Sequence, residues 1–258
     1  MNISRKYNIK PNKRMGQNFL TDKNVVKRIM KTAGLNKDDV VLEIGPGFGV
    51  LTKEIAKTAK KVTAVEKDKK LCEALKKELK DYNNVEIINE DVLSLGFQVI
   101  SYKVVANLPF YITAPVIRKF LEAENPPKEM VLIMQKEVAQ RIAAKPPKMS
   151  ILAVSVQLYA EPKIISYISK NSFYPKPKVD AAILKITLCG RPGLPQNFFR
   201  IVKAGFKAPR KQLINNLSAG LGKPKQDILI WLEKNNIDPK RRAETLTIED
   251  WINLYKML

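Results

Sequence analysis

The sequence predicts an α/β fold, with a mostly parallel sheet covered by helices on both faces and a small all-helical domain after it. Short apolar runs alternate with helical patterns over residues 22–144, which is typical of parallel sheets. A glycine-rich turn at residues 45–49 follows the first of these apolar runs. After residue 197 only helical patterns remain. We therefore expect a sheet-containing domain over residues 1–190 and a helical domain over residues 191–258.

The elements of the first domain follow one another in a regular order. Each predicted strand is a short apolar run, and each predicted helix repeats apolar residues at a spacing of three or four. The first helix starts near Asp22, a residue suited to capping it. The predicted strands are residues 40–44, 62–65, 85–88, 103–106 and 130–134. The helices after the first begin near residues 50 and 67 and cover residues 115–123 and 136–144.

The pattern changes after residue 150. Residues 151–160 are predicted to be helical, and residues 164–168 and 181–188 are predicted to be β segments near a proline-rich turn. These two segments could form an antiparallel hairpin that closes an edge of the sheet. The Gly and Pro residues at 190–195 predict a linker, and the helical domain follows it.

The composition favours a nucleic-acid partner and excludes several kinds of enzyme. The chain has 258 residues, 45% of them hydrophobic, which is enough for a large domain and a small one. Its net charge of +21 favours a polyanionic partner, although a lysine-rich composition without function is the alternative. Because the chain has no histidine, Ser-His and Cys-His nucleophilic pairs and most zinc sites are excluded.

The cysteine count and the hydropathy pattern indicate a cytoplasmic protein without a bound metal. Cys72 and Cys189 are the only cysteines, and two thiols cannot complete a four-ligand zinc site. Cys72 falls among apolar positions of a predicted helix, so we expect a packed free thiol in a reducing compartment. No apolar run approaches the roughly 18 residues of a membrane span, and the basic N-terminus is unlike a secretory signal.

Acidic residues follow the second and third predicted strands, at the edge where the glycine turn follows the first. Ligands of open α/β sheets bind at the carboxyl ends of the strands, so Gly45, Glu66 and Asp91 are candidate ligand-binding residues. A carboxylate at Glu66 suits two ribose hydroxyls, and one at Asp91 suits an adenine amino group. The structural alternatives are a solvated turn acid at Glu66 and a helix cap at Asp91. The spacing Gly-x-Gly-x-Gly differs from the dinucleotide fingerprint, which argues against a nicotinamide dehydrogenase.

The stretch from Asn107 to Phe110 follows the fourth predicted strand and suits the recognition of a planar exocyclic amine. The Asn107 side chain and the Leu108 carbonyl can each accept an N–H bond, while Pro109 restricts the backbone. Phe110 offers a face on which a base can stack. Together with the glycine turn, this stretch predicts an enzyme that carries a methyl group to an amino group of a nucleic-acid base.

Six motifs lie in order along nearly the whole chain. They are Gly-Gln-Asn-Phe-Leu at 16–20, Glu-Ile-Gly-Pro-Gly-Phe-Gly at 43–49, Asn-Leu-Pro-Phe at 107–110, Leu-Ile-Met-Gln-Lys-Glu-Val-Ala at 132–139, Ser-Phe-Tyr-Pro-Lys-Pro-Lys-Val-Asp at 172–180 and Arg-Lys-x-Leu-x-Asn-Asn-Leu at 210–217. This set resembles the KsgA-type ribosomal RNA adenine dimethyltransferases. The resemblance implies a Rossmann-like, S-adenosylmethionine-dependent methyltransferase domain followed by a helical RNA-binding domain.

The resemblance also implies roles for individual residues. The residues that would bind S-adenosylmethionine are Asn18, Leu20, Gly45, Gly47, Glu66, Asp91 and Asn107. Asn18 and the Leu20 backbone would hold the methionine end, Glu66 the ribose and Asp91 the adenine. The residues that would hold the target adenine are Asn107, Leu108, Pro109, Phe110 and Phe173. Phe110 would stack on one face of that base, and Phe173 would close on the other.

The implied function is the dimethylation of adjacent adenosines in small-subunit ribosomal RNA, by a cytoplasmic monomer that takes part in small-subunit biogenesis. The candidate RNA contacts are Lys13, Arg14, Lys207, Arg210 and Lys211, with solvated helix faces as the alternative. A resistance-type methyltransferase of the large subunit stays open, because such enzymes can carry Phe where the family usually has Tyr, as here at Phe110. A nucleic-acid-binding assembly factor without turnover is the third possibility.

Overall fold

The structure is a computed structural model that describes residues 6–12, 15–97, 99–190 and 196–257. The strands are β1 Phe19–Leu20, β2 Val40–Ile44, β3 Lys61–Val65, β4 Val85–Ile88, β5 Tyr102–Asn107, β6 Glu129–Gln135, β7 Ala160–Ile168, β8 Phe173–Tyr174 and β9 Ala181–Leu188. The helices are α1 Lys23–Ala33, α2 Val50–Thr58, α3 Lys69–Glu78, α4 Thr113–Leu121, α5 Lys136–Ile142, α6 Ile151–Gln157, α7 Gln196–Gly205, α8 Leu213–Leu221, α9 Lys225–Lys234 and α10 Ile248–Lys256. The α/β class expected from the sequence is confirmed.

The central sheet has seven strands in the order β4-β3-β2-β5-β6-β9-β7. Strands β2 to β6 pair in parallel, and β9 runs antiparallel to β6. The register aligns the carboxyl ends of the central strands, since Ile44 of β2 lies opposite both Val65 of β3 and Ala106 of β5. The residues that follow these strands therefore meet at one edge, which is where a ligand site is expected.

Helix ends in the first part of the chain are set by local capping. Asp22 accepts a hydrogen bond from the Asn24 N–H at the start of α1, and Asp68 does the same for Lys70 at the start of α3. Helix α1 ends at Gly34, whose left-handed φ of 50° suits a residue without a side chain. These caps are local sequence signals, so the predicted start near Asp22 is confirmed.

Two features differ from the sequence-based expectation. Helix α6 ends at Gln157 and β7 begins at Ala160, so the segment expected to be helical up to residue 160 is shorter. Pro162 disfavours a helical conformation at the residue before it, and β7 lies at the edge of the sheet, where a proline is tolerated. The short antiparallel pair β1–β8 was also not predicted, because strands of two residues leave no periodic pattern.

The chain divides into two compact units. The first unit comprises the residues up to 139 together with residues 162–188, and it contains the central strands. The second unit comprises residues 140–161 and the residues from 189 onward. Residues 140–161 thus group with the residues from 189 onward, whereas the sequence analysis placed them in the first domain. Two long-range bonds hold them there, from the Met149 N–H to the Glu244 carbonyl and from the Cys189 N–H to the Tyr159 carbonyl.

Within the residues that the structure describes, no helix has both the length and the apolar character required to cross a bilayer. A search of the same residues found no cluster of three or more metal-ligating side chains. Cys72 is a buried free thiol, as expected from its place on an apolar helix face, and Cys189 is exposed.

Candidate active site

The carboxyl edge of the parallel strands borders an open cavity of about 260 Å³. Its walls come from the N-terminal segment, the turn after β2, the ends of β3 and β4, and the segment after β5. Ten of the predicted site residues line it, namely Asn18, Leu20, Gly45, Gly47, Glu66, Asp91, Asn107, Leu108, Pro109 and Phe110. The structure thus brings together the proposed donor-binding residues and the proposed amine-binding stretch.

The glycine turn forms one wall of the cavity and has no room for side chains at its centre. Gly45 and Gly47 adopt left-handed φ angles of 65° and 59°. A Cβ added to Gly47 would lie 2.8 Å from the ring of Phe19. Only glycine combines this backbone conformation with such close packing against Phe19, so the shape of this cavity wall depends on the glycine.

Glu66 is positioned by two backbone N–H groups. Its Oε2 accepts a hydrogen bond from Gly47 at 3.2 Å, and its Oε1 accepts one from Asp68 at 2.9 Å. The residue is only 6% exposed, and this burial raises the pKa of its carboxyl to about 6. At neutral pH the carboxylate is therefore ionised, oriented and able to accept hydrogen bonds from two neighbouring hydroxyls.

Asp91 lines the cavity, but both of its carboxylate oxygens already have partners. Oδ1 accepts a bond from the Leu93 N–H at 2.9 Å, and Oδ2 pairs with the Lys67 ammonium at 2.7 Å. The bond from Lys67 holds the pKa of Asp91 below its usual range. Asp91 therefore caps a turn over residues 92–94 and not the helix considered in the sequence analysis, and it also lines the cavity.

Glu43 is a lining residue to which the sequence analysis assigned no role. It is 1% exposed, and burial raises the pKa of its carboxyl to about 8, so the neutral form dominates at neutral pH. Its Oε2 has no hydrogen-bond partner among the described residues. A signal was available in the sequence, because an acidic residue placed two positions before the glycines interrupts an otherwise apolar strand.

Asn107 is held by a long-range contact to the N-terminal segment. Its Nδ2 donates to the main-chain carbonyl of Asn18 at 2.9 Å, which leaves Oδ1 as the atom that can accept from a ligand. The neighbouring peptide is anchored by a bond from the Leu108 N–H to the Ile133 carbonyl at 3.1 Å. Pro109 follows with a φ of −56°, and the residues after it form a 3₁₀ turn that starts at Phe110.

Phe173 is not part of the cavity wall, contrary to its expected place above the target base. Its ring is 4% exposed and belongs to the hydrophobic core, in the same cluster as Leu20 and with Phe110 packed against that cluster. Residue 173 pairs with Leu20 in the β1–β8 ladder, and this pairing carries its side chain into the core. Of the two rings predicted to stack on a base, only Phe110 lines the cavity.

Tyr111 is a second lining residue that the sequence analysis missed. Its side chain is 55% exposed although it borders the cavity, and it lies against the backbone of Gly16. An aromatic residue directly after the predicted stacking residue Phe110 was the available signal.

The expected RNA contacts divide into two groups. Lys13 and Arg14 lie outside the described residues. Lys207, Arg210 and Lys211 are exposed on the loop between α7 and α8 in the second unit. The buried Asn216 shapes this loop, because its side chain accepts a bond from the Ala208 N–H and donates to the carbonyls of Gly205 and Ala208.

The fold and the site define a Rossmann-like, S-adenosylmethionine-dependent methyltransferase. A family model described as "Ribosomal RNA adenine dimethylase" matches residues 8–258, and the chain belongs to this family. The protein named "Ribosomal RNA small subunit methyltransferase A" of Dehalococcoides mccartyi (strain BAV1) is 45% identical over 96% of this chain and 88% of its own length. Its namesake in Clostridium botulinum (strain ATCC 19397) is 42% identical, over 96% of this chain and 94% of its own length.

Solved structures agree with this assignment. A dimethyladenosine transferase from Plasmodium falciparum superposes with a TM-score of 0.82 at 26% identity, covering 92% of this chain and 95% of that one. The 23S rRNA methyltransferase ErmE superposes with a TM-score of 0.77 at 28% identity, covering 93% and 99% of the two chains. The architecture is thus shared with a dimethyladenosine transferase and with a 23S rRNA methyltransferase.

Proposed function

We propose that the protein transfers methyl groups from S-adenosylmethionine to the N6 amino groups of adjacent adenosines in small-subunit ribosomal RNA, two to each adenosine, during small-subunit assembly. The observation that carries this proposal is that Asn107 and Leu108, whose side-chain and main-chain oxygens can each accept an N–H bond, line the same cavity as the glycine turn and Glu66. Two acceptors beside a nucleotide-like site suit a primary amine. The 45% and 42% identical relatives named for the small subunit support this substrate.

The residues on the donor side of the cavity fit S-adenosylmethionine. Gly45 and Gly47 place main chain without side chains in the cavity wall, and the oriented carboxylate of Glu66 suits ribose hydroxyls. Asn18 and the Leu20 backbone would hold the methionine end, and Asp91 would contact the adenine. When bound there, S-adenosylmethionine supplies a methyl group on a positively charged sulfur, and such a group requires neither a metal nor a strong base.

The amine-binding residues Asn107 and Leu108 would increase the nucleophilicity of the target amino group, which is weak in free adenine. The lone pair of an adenine amino group is delocalised into the ring. When Asn107 Oδ1 and the Leu108 carbonyl each accept one of its N–H bonds, the nitrogen is drawn towards tetrahedral geometry and its lone pair is localised. Phe110 holds the base in place by stacking. Most of the rate gain then comes from this positioning and from the preorganised dipoles of the two acceptors. The proton becomes acidic after transfer and can leave to water.

The RNA is expected to bind largely through its phosphates. Lys207, Arg210 and Lys211 on the loop after α7 carry part of this contact, and Lys13 and Arg14 are proposed to carry another part. Binding should then weaken steeply with salt, because each phosphate contact releases condensed counterions. We also propose that the protein is a monomer in the cytoplasm and that it needs no metal.

The decisive experiment is methyl transfer from labelled S-adenosylmethionine to small ribosomal subunits that lack the modification, followed by nucleoside analysis. We expect N6,N6-dimethyladenosine in small-subunit RNA from the parent protein and none from the Asn107→Ala variant. Label in large-subunit RNA instead would assign the protein to the resistance-type enzymes, a possibility that the superposition on ErmE keeps open. Tight RNA binding without donor binding in a calorimeter would indicate a non-catalytic assembly factor.

A further inference from the structure

The carboxamide of Asn107 has two orientations, related by a half-turn about its last side-chain bond. In one orientation Oδ1 of Asn107 faces the target amine and can accept a hydrogen bond from it. In the other, the side-chain NH2 group of Asn107 faces the target amine, and two N–H donors repel each other. The Asn18 main-chain carbonyl lies 2.9 Å from Nδ2 of Asn107. Because a carbonyl can only accept a hydrogen bond, it stabilises the orientation with Nδ2 towards Asn18 and disfavours the flipped one.

We propose that the segment 16–22 is a positioning element that selects the active orientation of Asn107, and that residues 172–174 fasten this segment. The inference rests on the proposed function, in which Asn107 accepts a bond from the target amine. It assigns a role to two sequence motifs, at 16–20 and 172–180, beyond direct contact with the donor or the base.

The loop at the start of the segment is shaped for close packing. The Asn18 Nδ2 donates to the Gly16 carbonyl at 3.1 Å, which closes a tight turn around the carbonyl that reaches Asn107. Gly16 has a left-handed φ of 60°, and a Cβ added there would lie 3.1 Å from the Tyr111 ring and 3.8 Å from Pro109. A glycine at position 16 therefore lets the loop pack against residues 109–111, which directly follow the amine-binding residues Asn107 and Leu108.

The other end of the segment is held by residues distant in sequence. Phe19 and Leu20 pair with Tyr174 and Phe173 in the β1–β8 ladder. Thr21 extends this pairing, since its N–H and its hydroxyl donate to the Ser172 carbonyl at 2.9 and 3.0 Å.

Ser172 returns a bond to the same segment, since its hydroxyl donates to the Asp22 carboxylate at 3.0 Å. Neither Thr21 nor Ser172 lines the cavity, so their contribution to catalysis would act through the position of residue 18.

The test compares Gly16→Ala with Gly34→Ala. Both glycines have left-handed φ angles, 60° and 50°, so alanine strains both backbones in a similar way. An added Cβ meets the Tyr111 ring at position 16 and nothing within 4 Å at position 34. With saturating donor and RNA, we expect the single-turnover rate constant to fall by about 10- to 100-fold in Gly16→Ala and by less than about 2-fold in Gly34→Ala.

Two further measurements distinguish a change in the orientation of Asn107 from a general disruption of the site. The donor dissociation constant, from calorimetry, should rise less than the rate constant falls in Gly16→Ala, because Glu66 and the glycine turn also hold the donor. In a protein labelled with ¹⁵N asparagine, the side-chain NH2 protons of Asn107 should exchange faster with water in Gly16→Ala and be unchanged in Gly34→Ala. The double variant Thr21→Val/Ser172→Ala, which is remote from the cavity, should shift both readouts in the same direction by a smaller amount.

Equal rates for Gly16→Ala and Gly34→Ala would overturn the inference, and so would a loss of donor affinity as large as the loss of rate. If Gly16→Ala does not fold, the double variant decides by the same criteria. If the parent protein methylates no small-subunit RNA, the proposed function fails, but the exchange of the Asn107 NH2 protons still tests the orientation independently.

Discussion

The cavity has two halves, and their residues are held in different ways. The donor half contains the glycine turn, Glu66 and Asp91, and the amine half contains residues 107–110. On the donor side, Glu66 is oriented by N–H groups of Gly47 and Asp68, which lie 19 and 2 residues away in the chain. On the amine side, Asn107 is oriented by the carbonyl of Asn18, 89 residues away.

The difference shows that Glu66 and Asn107 are oriented by separate parts of the fold. Glu66 is oriented by partners around one β-α-β unit, and it retains its geometry as long as that unit is folded. The amine half depends in addition on the N-terminal segment and on the β1–β8 pair. We therefore expect substitutions in the amine half to change the rate, and substitutions in the donor half to change the donor affinity.

The largest effect is expected for Asn107→Ala. Removing one acceptor of the target amine should lower the single-turnover methyl-transfer rate by about 10²- to 10³-fold, the cost of losing one preorganised partner of a transition state. The donor dissociation constant should rise only slightly. Asn84→Ala is a suitable control, since Asn84 holds the carbonyls of Ala56 and Ala59 outside the cavity. A rate near that of the parent would refute the role of Asn107 as an acceptor for the target amine.

Glu66→Gln tests the donor half. Loss of a charged hydrogen-bond acceptor should weaken donor binding by about 10- to 100-fold, with a nearly unchanged rate at saturating donor. The pKa of Glu66 is raised to about 6, so its carboxylate is lost as the pH falls through 6. Donor affinity of the parent should accordingly decrease from pH 7 to pH 5.

In the Glu66→Gln variant this part of the pH dependence should disappear, because glutamine does not titrate. Calorimetric titrations at three pH values would measure it. An equally steep loss of affinity in the variant would mean that another group controls donor binding.

A smaller effect is expected at Phe110, which belongs to the amine half. Stacking on a base contributes about 1–3 kcal/mol, so Phe110→Leu should lower the rate at subsaturating RNA by about 10-fold or more. Phe110→Tyr keeps the aromatic face and should retain most of the activity. Steady-state kinetics on small subunits would distinguish the two variants, and equal losses in both would exclude stacking as the role of this ring.

The smallest effect is expected for Asp91→Asn, although Asp91 lies in the donor half beside Glu66. Its oxygens are already engaged by Lys67 and the Leu93 N–H, so less of its capacity is available to a ligand. We expect donor affinity to fall by less than about 5-fold, in the range of one neutral hydrogen bond. A loss of donor affinity comparable to that in Glu66→Gln would show that the ion pair between Lys67 and Asp91 breaks when the donor binds.

Sequence patterns were sufficient to predict the parallel sheet, the glycine turn and the alignment of Glu66 and Asn107 at one edge. These features depend on local patterns: apolar runs of strand length, left-handed turns that require glycine, and side chains that directly follow strands. The resemblance to the dimethyltransferases added the roles of these residues, and the family match agrees with it.

The hydrogen-bond partners of these residues, in contrast, depend on how distant parts of the chain pack together. The burial of Phe173, the pairing of Asp91 with Lys67 and the orientation of Asn107 by Asn18 could not be read from the chain. The association of residues 140–161 with the helical unit belongs to the same group. Most of these outcomes arise from contacts between residues far apart in sequence, and all depend on how strands and loops pack in three dimensions. No local pattern records such packing.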